Sequence, residues 1–249
     1  MIWQMGKVGS SSLLESLEDA CPERPVTQVH ILKPELRVLG EAHARAALRW
    51  RSHQEWNQAL YECILHGLRG PKVVTLVREP VARNVSAFFQ NLDVYLSPVE
   101  MAALASGRID EEFMHQAFVG RFPHDRPQVW FEYEMAGLLG VDVFAAGFNK
   151  ELGYQSYDAG QLDLMVVKLE RMDQALPAIG GFLGSTSPIR QRRSNVRDEQ
   201  AFGEAYKSFK SSFEMPANLL GFYRGLKYSH TFYRPDEIGR SFKQAALKP

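Results

Sequence analysis

The first residues able to do chemistry lie close to the start of the chain. Residues 6–12 read Gly-Lys-Val-Gly-Ser-Ser-Ser, between a short apolar run and leucines at helical spacing. This order predicts a strand, a tight loop and a helix. Glycines let a backbone approach an anion closely, and the first N–H groups of a helix point toward it. With the positive charge of Lys7, the segment predicts an anion-binding loop.

The position of the lysine separates this loop from the common triphosphate-binding loop. That loop requires Gly-x-x-x-x-Gly-Lys-Ser/Thr, with the lysine after the last glycine. Here Lys7 comes before Gly9. The segment therefore indicates an anion site of another type.

A second segment with suitable chemistry follows about seventy residues later. The β-branched run Val73–Val77 predicts a strand buried on both faces, and Pro80 is typical of the first turn of a helix. Arg78 is then expected at the carboxyl end of the strand, and Ser86 two turns into the helix. A guanidinium group suits a phosphate, and open α/β sheets bind ligands at this edge.

These two segments together resemble the sulfotransferases. The residues from Lys7 to Leu13 resemble the family's 5′-phosphosulfate loop, and Arg78 and Ser86, in Arg-Glu-Pro-x-x-Arg-x-x-Ser, resemble its 3′-phosphate motif. More narrowly, residues 148–154 and 231–238 resemble bacterial capsular polysaccharide synthesis proteins, a sulfotransferase-like group.

The resemblance implies an enzyme that moves a sulfuryl group from 3′-phosphoadenosine 5′-phosphosulfate (PAPS) to a hydroxyl or amine, with adenosine 3′,5′-bisphosphate as product. The expected acceptor is a carbohydrate. Lys7 would stabilise the leaving oxygen, while Gly9, Ser10, Ser11 and Ser12 would hold the 5′-phosphate. Arg78 and Ser86 would bind the 3′-phosphate. The family works without a metal, and we expect no metal site.

The resemblance also suggests three further roles. His30, after the second predicted strand, is the first candidate for the catalytic base, with Glu35 and His53 in reserve; a hydrogen-bonded buried histidine is the alternative. The arginine-rich loop 190–197 resembles in position the loop that closes over the 3′-phosphate, with Arg192 as the candidate. A solvated or acceptor-facing loop is equally open. Glu170 resembles a strand-end acid with a structural role.

Each assignment has a simpler structural alternative. The three serines could form only the N-cap and first turn of a helix. Arg78 could form a structural ion pair, and Arg83 is expected to be solvated or paired with an acid. The aromatic residues of 222–233 are expected in the core: Phe222, Tyr223, Tyr228, Phe232 and Tyr233.

The elements that must position these residues indicate the α/β class. Strands predicted at 27–32, 73–77 and 163–169 alternate with helices, as in a parallel sheet covered on both faces. The helix after the last of these strands is predicted at 171–183 and is expected to end at Gly184. We expect a P-loop-like three-layer fold with a small central parallel sheet of about 4–5 strands flanked by many helices. A single domain over residues 1–249 is expected, with helical insertions around 34–69 and 93–140 and a helical part at 198–249.

The composition argues against several classes of protein, among them nucleic-acid-binding and membrane-spanning proteins. Lys and Arg total 29 and Asp and Glu total 29, so no net charge attracts the chain to nucleic acid. The two cysteines, Cys21 and Cys63, indicate ordinary thiols. No run approaches the roughly 20 apolar residues of a membrane span, and a cytoplasmic location is expected. The residues indicate no particular oligomeric state.

The sequence leaves two other functions open. A kinase would use similar phosphate contacts, although the displaced lysine and the lack of a magnesium-binding carboxylate motif favour the sulfotransferase. A non-catalytic nucleotide-binding or polysaccharide-assembly protein could keep the loop without catalysing transfer.

Overall fold

The computed structural model of the chain describes residues 1–32, 61–62, 64, 66, 72–160, 162–192 and 202–244. The chain divides into two compact units. The first comprises Met1–Arg78 and Pro127–Ser194, and the second comprises Glu79–Arg126 and Asn195–Pro249. The expected single domain stays a prediction.

The first unit contains a five-stranded sheet. Its strands are β1 (Ile2–Trp3), β2 (Gln28–Val29), β3 (Val73–Val77), β4 (Tyr154–Asp158) and β5 (Asp163–Lys168), in the order β2-β1-β3-β5-β4. Four strands are parallel, and β4 is an antiparallel edge strand. The predicted α/β class and strand number are confirmed. The edge strand is antiparallel because the few residues between β4 and β5 can only return the chain as a hairpin.

Apolar strands and one polar link hold the middle of the sheet. Every residue of β3 is buried, as expected for a central parallel strand. The hydroxyl of Thr75 donates to the carbonyl oxygen of Trp3 over 2.7 Å. This bond satisfies the one polar side chain of β3 and joins β3 to β1.

Both chain segments of the first unit contain helices. Helix α1 runs over Ser10–Ala20. The later segment contains helices at Arg126–Trp130, Gly137–Leu139, Val143–Ala146 and Met172–Leu183, a π-helical turn at Phe131–Ala136 and a 3-10 turn at Leu169–Arg171. The Met172–Leu183 helix ends at Gly184, whose φ of 67° is left-handed. The helix predicted to end at this glycine is confirmed.

The second unit is mainly helical. Helix α2 (Pro80–Gln90) begins with a proline, as predicted, and the side chain of Glu79 caps it by accepting from the N–H groups of Val81 and Ala82. Its other helices are Leu92–Tyr95, Pro98–Ala105, Glu111–Arg121, Gly203–Ser212, Ala217–Gly225 and Lys227–Phe232, with a 3-10 turn at Pro235–Glu237. Two short strands, Glu214–Met215 and Lys243–Gln244, pair in parallel.

Aromatic side chains dominate the core of this unit. Phe118 is fully buried and makes edge-on or tilted ring contacts with four neighbouring phenylalanines, Phe88, Phe122, Phe209 and Phe213. The core interpretation of residues 222–233 is confirmed for Tyr223, Tyr228, Phe232 and Tyr233, and is wrong for Phe222, which is 47% exposed.

The strand order of the first unit determines where a ligand could bind. The next two strands of the chain lie on opposite sides of β1, with β2 on one side and β3 on the other, so the chain reverses its direction across the sheet at β1. Such a reversal creates a crevice at the carboxyl ends of the strands, the usual ligand position in open α/β sheets. The residues that leave this edge are the loop 4–9 after β1, His30 after β2, Arg78 after β3 and Leu169 after β5.

None of the helices in the described ranges is long and apolar enough to cross a membrane.

Candidate functional site

The loop between β1 and α1 has an unusual backbone. Gly6, Lys7 and Gly9 have φ angles of 84°, 61° and 79°. Lys7 is the one non-glycine residue with a positive φ among the described residues. A side chain in this conformation costs about 1–3 kcal/mol and is found mainly at functional sites. The strain therefore marks Lys7 as a residue whose position is imposed by its surroundings.

Helix α1 begins directly after this loop, at Ser10. Its N-cap residue is Gly9, and no side chain forms a cap hydrogen bond there. Of the structural alternative for the serines, the N-cap is wrong, because the left-handed Gly9 takes that position, and the first turn is confirmed for Ser10, Ser11 and Ser12. A helix end without a side-chain cap is suited to an anion, which can accept from the first N–H groups.

Gly9 is required for a second reason. A Cβ atom added to it would lie 2.5 Å from Cδ1 of Leu169, in the 3-10 turn that follows β5. The loop after β1 and the turn after β5 therefore pack in direct contact at the carboxyl edge of the sheet. Only a residue without a side chain allows both this contact and the φ of 79°.

Arg78 contacts the same loop. Its Nη1 donates to the main-chain oxygen of Lys7 over 3.0 Å. This bond brings a guanidinium to the peptide of the strained lysine, although the two residues are 71 positions apart. Two of the cationic residues predicted for the site are thus neighbours.

A buried glutamine supports the loop from inside the fold. Gln4 is fully buried, and its Oε1 accepts from the N–H of Gly6. Its Nε2 lies 2.9 Å from Oγ of Ser10 and 2.8 Å from Nδ1 of His30. Gln28, in β2, also donates to Ser10 Oγ over 2.9 Å. The sequence analysis missed both glutamines, although a polar residue between Trp3 and Met5 was a signal.

His30 is half-buried and lies at this edge, as predicted. Its Nδ1 lies 3.1 Å from the main-chain oxygen of Gln4 as well as near the Gln4 side chain. Its own main-chain oxygen accepts from Nε1 of Trp130 over 2.7 Å. The structure therefore brings together Lys7, Gly9, Ser10, His30 and Arg78 in the first unit. Within this group, the Gln4 side chain bonds to Ser10, to His30 and to Gly6 of the loop.

Glu134 holds the segment after His30. It is fully buried in the π-helical turn, and its Oε2 accepts from Nε1 of Trp3 over 3.1 Å and from the N–H of Leu32 over 2.7 Å. Insertions of this helical type are frequent at functional sites. The carboxylate fixes the chain beyond β2 to Trp3 at the end of β1, which stabilises the position of His30.

The comparison with known families concerns a different part of the chain. Residues 109–234, half of the sequence, match a family model named NKWYS and described as "Putative capsular polysaccharide synthesis protein". The chain belongs to this family. No curated protein and no solved structure gives a significant match.

The stretch matched by the NKWYS family includes the segment 148–154, whose role the sequence did not reveal. The side chain of Asn149 accepts from the N–H groups of Glu151 and Leu152, over 3.1 and 3.0 Å, and Gly153 donates back to the carbonyl of Asn149 over 2.9 Å. Gly153 has a φ of 76°, and its carbonyl oxygen accepts a hydrogen bond from the N–H of Lys168. The segment is a turn that leads the chain into β4.

Arg192, another predicted residue of this NKWYS-family protein, is bound to helix α1. The guanidinium of Arg192 pairs with Asp19, which raises its pKa, and its N–H donates to Oγ of Ser16 over 2.8 Å. Asp19 is nine residues after Ser10, about 13 Å along α1. Arg192 is thus bound to the far half of the helix, and its contact with a nucleotide stays a prediction. Glu170 lies exposed in the 3-10 turn after β5.

Ser86 and Arg83 belong to the second unit. Ser86 is buried in α2, two turns from its start, as the spacing predicted. Arg83 was expected to be solvated or paired with an acid, and the solvated interpretation is wrong: the side chain is 4% exposed and Nη1 donates to Oδ1 of Asn84 over 3.0 Å. Burial, followed by the nearby charge of Arg126, lowers its pKa to about 10. The neighbouring groups that act on its charge are Arg126 and the tyrosines 95, 223 and 228.

Some predicted residues lie outside the described residues: the reserve bases Glu35 and His53, the arginines 193 and 197, and Cys63. Most of the insertion expected at 34–69 lies outside them as well. Within the described ranges, no group of three or more metal-binding side chains forms a cluster.

Proposed function

We propose that this chain is a sulfotransferase of capsular polysaccharide synthesis, which uses PAPS as donor and a hydroxylated saccharide as acceptor. The observation that carries the proposal is the loop at residues 6–9, where a lysine in left-handed conformation precedes an uncapped helix and is bound by Arg78. The family description supplies the biosynthetic setting.

The donor set of the loop fits a phosphosulfate. Such a group carries negative oxygens, which main-chain N–H groups at a helix start, hydroxyls, an ammonium and a guanidinium can all bind. Lys7, Ser10, Ser11, Ser12 and Arg78 supply these groups at one edge of the sheet. When bound, PAPS supplies a sulfuryl group that is activated for transfer.

The reaction would be an in-line displacement, similar to phosphoryl transfer. A bond forms between the acceptor oxygen and sulfur, and the bond between sulfur and the 5′-phosphate oxygen breaks. The electron pair of that bond stays on the phosphate, which leaves as adenosine 3′,5′-bisphosphate, and the proton of the acceptor hydroxyl passes to a base, either the ring of His30 or water. Lys7 would stabilise the charge on the leaving oxygen.

Arg78 remains the proposed ligand of the 3′-phosphate, and His30 the proposed residue for proton transfer. The role of Ser86, in the second unit, stays the prediction made from the sequence. The contribution of His30 depends on which ring nitrogen carries the proton. A sulfuryl group carries less charge than a phosphoryl group, so a magnesium ion is less needed.

A titration tests the proposal. The protein would be titrated with adenosine 3′,5′-bisphosphate, ADP and ATP, each with and without magnesium. We expect magnesium-independent preference for the bisphosphate. A magnesium-dependent preference for ATP would favour a kinase and overturn the proposal, and bisphosphate binding without transfer to any hydroxylated acceptor would favour a non-catalytic protein.

A pair of arginine variants sharpens the assay. Arg78→Ala should weaken bisphosphate binding by about 10-fold or more, since a hydrogen bond to a charged group contributes about 1.5–3 kcal/mol. Arg24→Ala is the matched control, because Arg24 also donates from Nη1 to a main-chain oxygen, that of Leu183 over 2.8 Å. Equal effects of the two substitutions would remove Arg78 from the site.

A further inference from the structure

Gln4 is the residue that connects the loop to His30. It is fully buried at the junction of β1 and the loop, where a polar side chain needs hydrogen-bond partners for each of its polar atoms. Its three side-chain partners are the N–H of Gly6, Oγ of Ser10 and Nδ1 of His30. These partners belong to the loop, the first turn of α1 and the end of β2.

The partners determine how the amide of Gln4 is oriented. A backbone N–H can only donate, so the atom that faces Gly6 must be the amide oxygen. The amide nitrogen then faces Ser10 and His30, and its two hydrogens match these two neighbours. In the opposite orientation, the NH2 group of Gln4 would face the N–H of Gly6. Two donors would then meet, and the Gly6 N–H would lose its acceptor.

This orientation also determines the state of the imidazole. Because the Gln4 amide nitrogen donates to Nδ1 over 2.8 Å, Nδ1 must hold a lone pair, and a neutral ring then carries its proton on Nε2. The main-chain oxygen of Gln4, 3.1 Å from Nδ1, would accept from the other tautomer. That tautomer, however, would direct the Nδ1 hydrogen against a hydrogen of the Gln4 amide.

We propose that Gln4 is a positioning residue that holds His30 with its proton on Nε2. In this state Nε2 carries the hydrogen, so the ring can only donate there and lacks the lone pair that a general base requires. The donor role rests on the proposed function, whereas the tautomer does not.

Nitrogen NMR tests the tautomer without any substrate. In protein labelled with ¹⁵N-histidine, long-range ¹H–¹⁵N spectra distinguish protonated from unprotonated ring nitrogens, and His30→Gln identifies the His30 signals by their loss. We expect Nε2 protonated and Nδ1 unprotonated in the wild-type protein above neutral pH. A protonated Nδ1 in that spectrum overturns the proposal.

Two glutamine variants test whether Gln4 is the cause. Gln4→Glu replaces the amide donor by an acceptor that still serves Gly6, so the His30 proton should move to Nδ1. Gln28→Glu is the matched control: it introduces the same charge next to the same Ser10 hydroxyl but has no hydrogen bond to His30. Tautomer inversion in both variants, or in neither, contradicts the proposal. If Gln4→Glu does not fold, the wild-type spectrum alone decides.

Kinetics test the donor role. Glutamine can place an N–H near the position of Nε2, so His30→Gln should retain at least tenfold more sulfuryl transfer than His30→Ala. A general base would make both variants equally slow, because neither side chain accepts a proton. Absence of transfer in the wild-type protein would overturn the proposed function and leave the tautomer result standing.

Discussion

Replacing Lys7 with glycine should change stability and activity in opposite directions. Lys7 adopts a φ of 61°, a conformation that costs an L-residue about 1–2 kcal/mol. Glycine avoids this cost but loses about 0.5–1 kcal/mol through its greater freedom in the unfolded chain. Lys7→Gly should therefore stabilise the fold by roughly 0.5–1 kcal/mol, about 1–4 °C in Tm for a chain of this size.

The same substitution should impair the proposed reaction. It removes the ammonium while keeping the main-chain oxygen that accepts from Arg78. Loss of one donor to a developing negative charge typically lowers kcat about 10²–10³-fold. We expect a loss of this size in sulfuryl transfer from PAPS, measured as release of adenosine 3′,5′-bisphosphate in the presence of a saccharide acceptor.

Lys7→Met separates the two effects. Methionine keeps the unbranched stem and the left-handed strain but has no charge, so it should lose the same activity without the gain in Tm. Thermal unfolding of the three proteins, side by side, gives the comparison. If Lys7→Met stabilises the chain as much as Lys7→Gly, the strain argument is refuted; if both retain transfer, Lys7 has no part in the reaction.

Two further predictions concern the units separately. Gly153→Ala should destabilise the first unit by about 1.5–4 kcal/mol in urea unfolding. At its φ of 76° an alanine has a net conformational cost of about 0.5–1 kcal/mol, and its Cβ would lie 2.6 Å from Cβ of Arg171, an overlap that costs about 1–3 kcal/mol. Gly147→Ala, at a φ of 80° with no such neighbour, should cost only the conformational part, about 0.5–1 kcal/mol. Equal losses would refute the packing argument. In the second unit, burial lowers the pKa of His124, so the unfolded state binds more protons as pH falls below about 6.5, and stability should decline there. His124→Asn should reduce this decline in urea unfolding between pH 7.5 and 5.5. His115, whose pKa burial also lowers, should contribute a further part of the decline, and an unchanged slope in His124→Asn would contradict the assignment.

Local sequence signals predicted the elements that carry the site. The strand Val73–Val77, the proline-initiated α2 and the helix that ends at Gly184 each depend on residues within one turn or one strand. The loop at 6–9 was predicted for the same reason, since glycines next to a lysine and an apolar helix face are adjacent in sequence. Such short-range patterns determine φ angles and burial directly.

Other features depend on contacts that sequence spacing does not encode. The hydrogen bond between Arg78 and Lys7 joins residues 71 positions apart, and that between Gln4 and His30 joins residues 26 apart. The serine cap was predicted wrongly because Gly9 was expected to be part of the loop and not the N-cap itself. β4 escaped prediction because its residues, half-buried or exposed, show no continuous apolar run.

Membership in the NKWYS family and the proposed reaction rest on different residues. The family match covers residues 109–234, whereas the loop, His30 and Arg78 precede it. The turn at 149–153, which lies within the match, acts on the path of the chain into β4 and contributes no reacting group. A negative transfer assay would therefore remove the proposed reaction without changing the family assignment.

The bond between Arg78 and Lys7 also changes how the arginine variant must be interpreted. The Arg78→Ala substitution can weaken donor binding in two ways. It can remove a direct contact to the 3′-phosphate, or it can release the strained Lys7 peptide, whose main-chain oxygen accepts from Nη1 of Arg78 over 3.0 Å. Adenosine 5′-phosphosulfate, which lacks the 3′-phosphate, separates them. Loss of the direct contact spares binding of this compound, whereas a released Lys7 weakens both nucleotides alike. Equal losses would therefore assign Arg78 to the positioning of Lys7, and a loss confined to the bisphosphate would assign it to the 3′-phosphate.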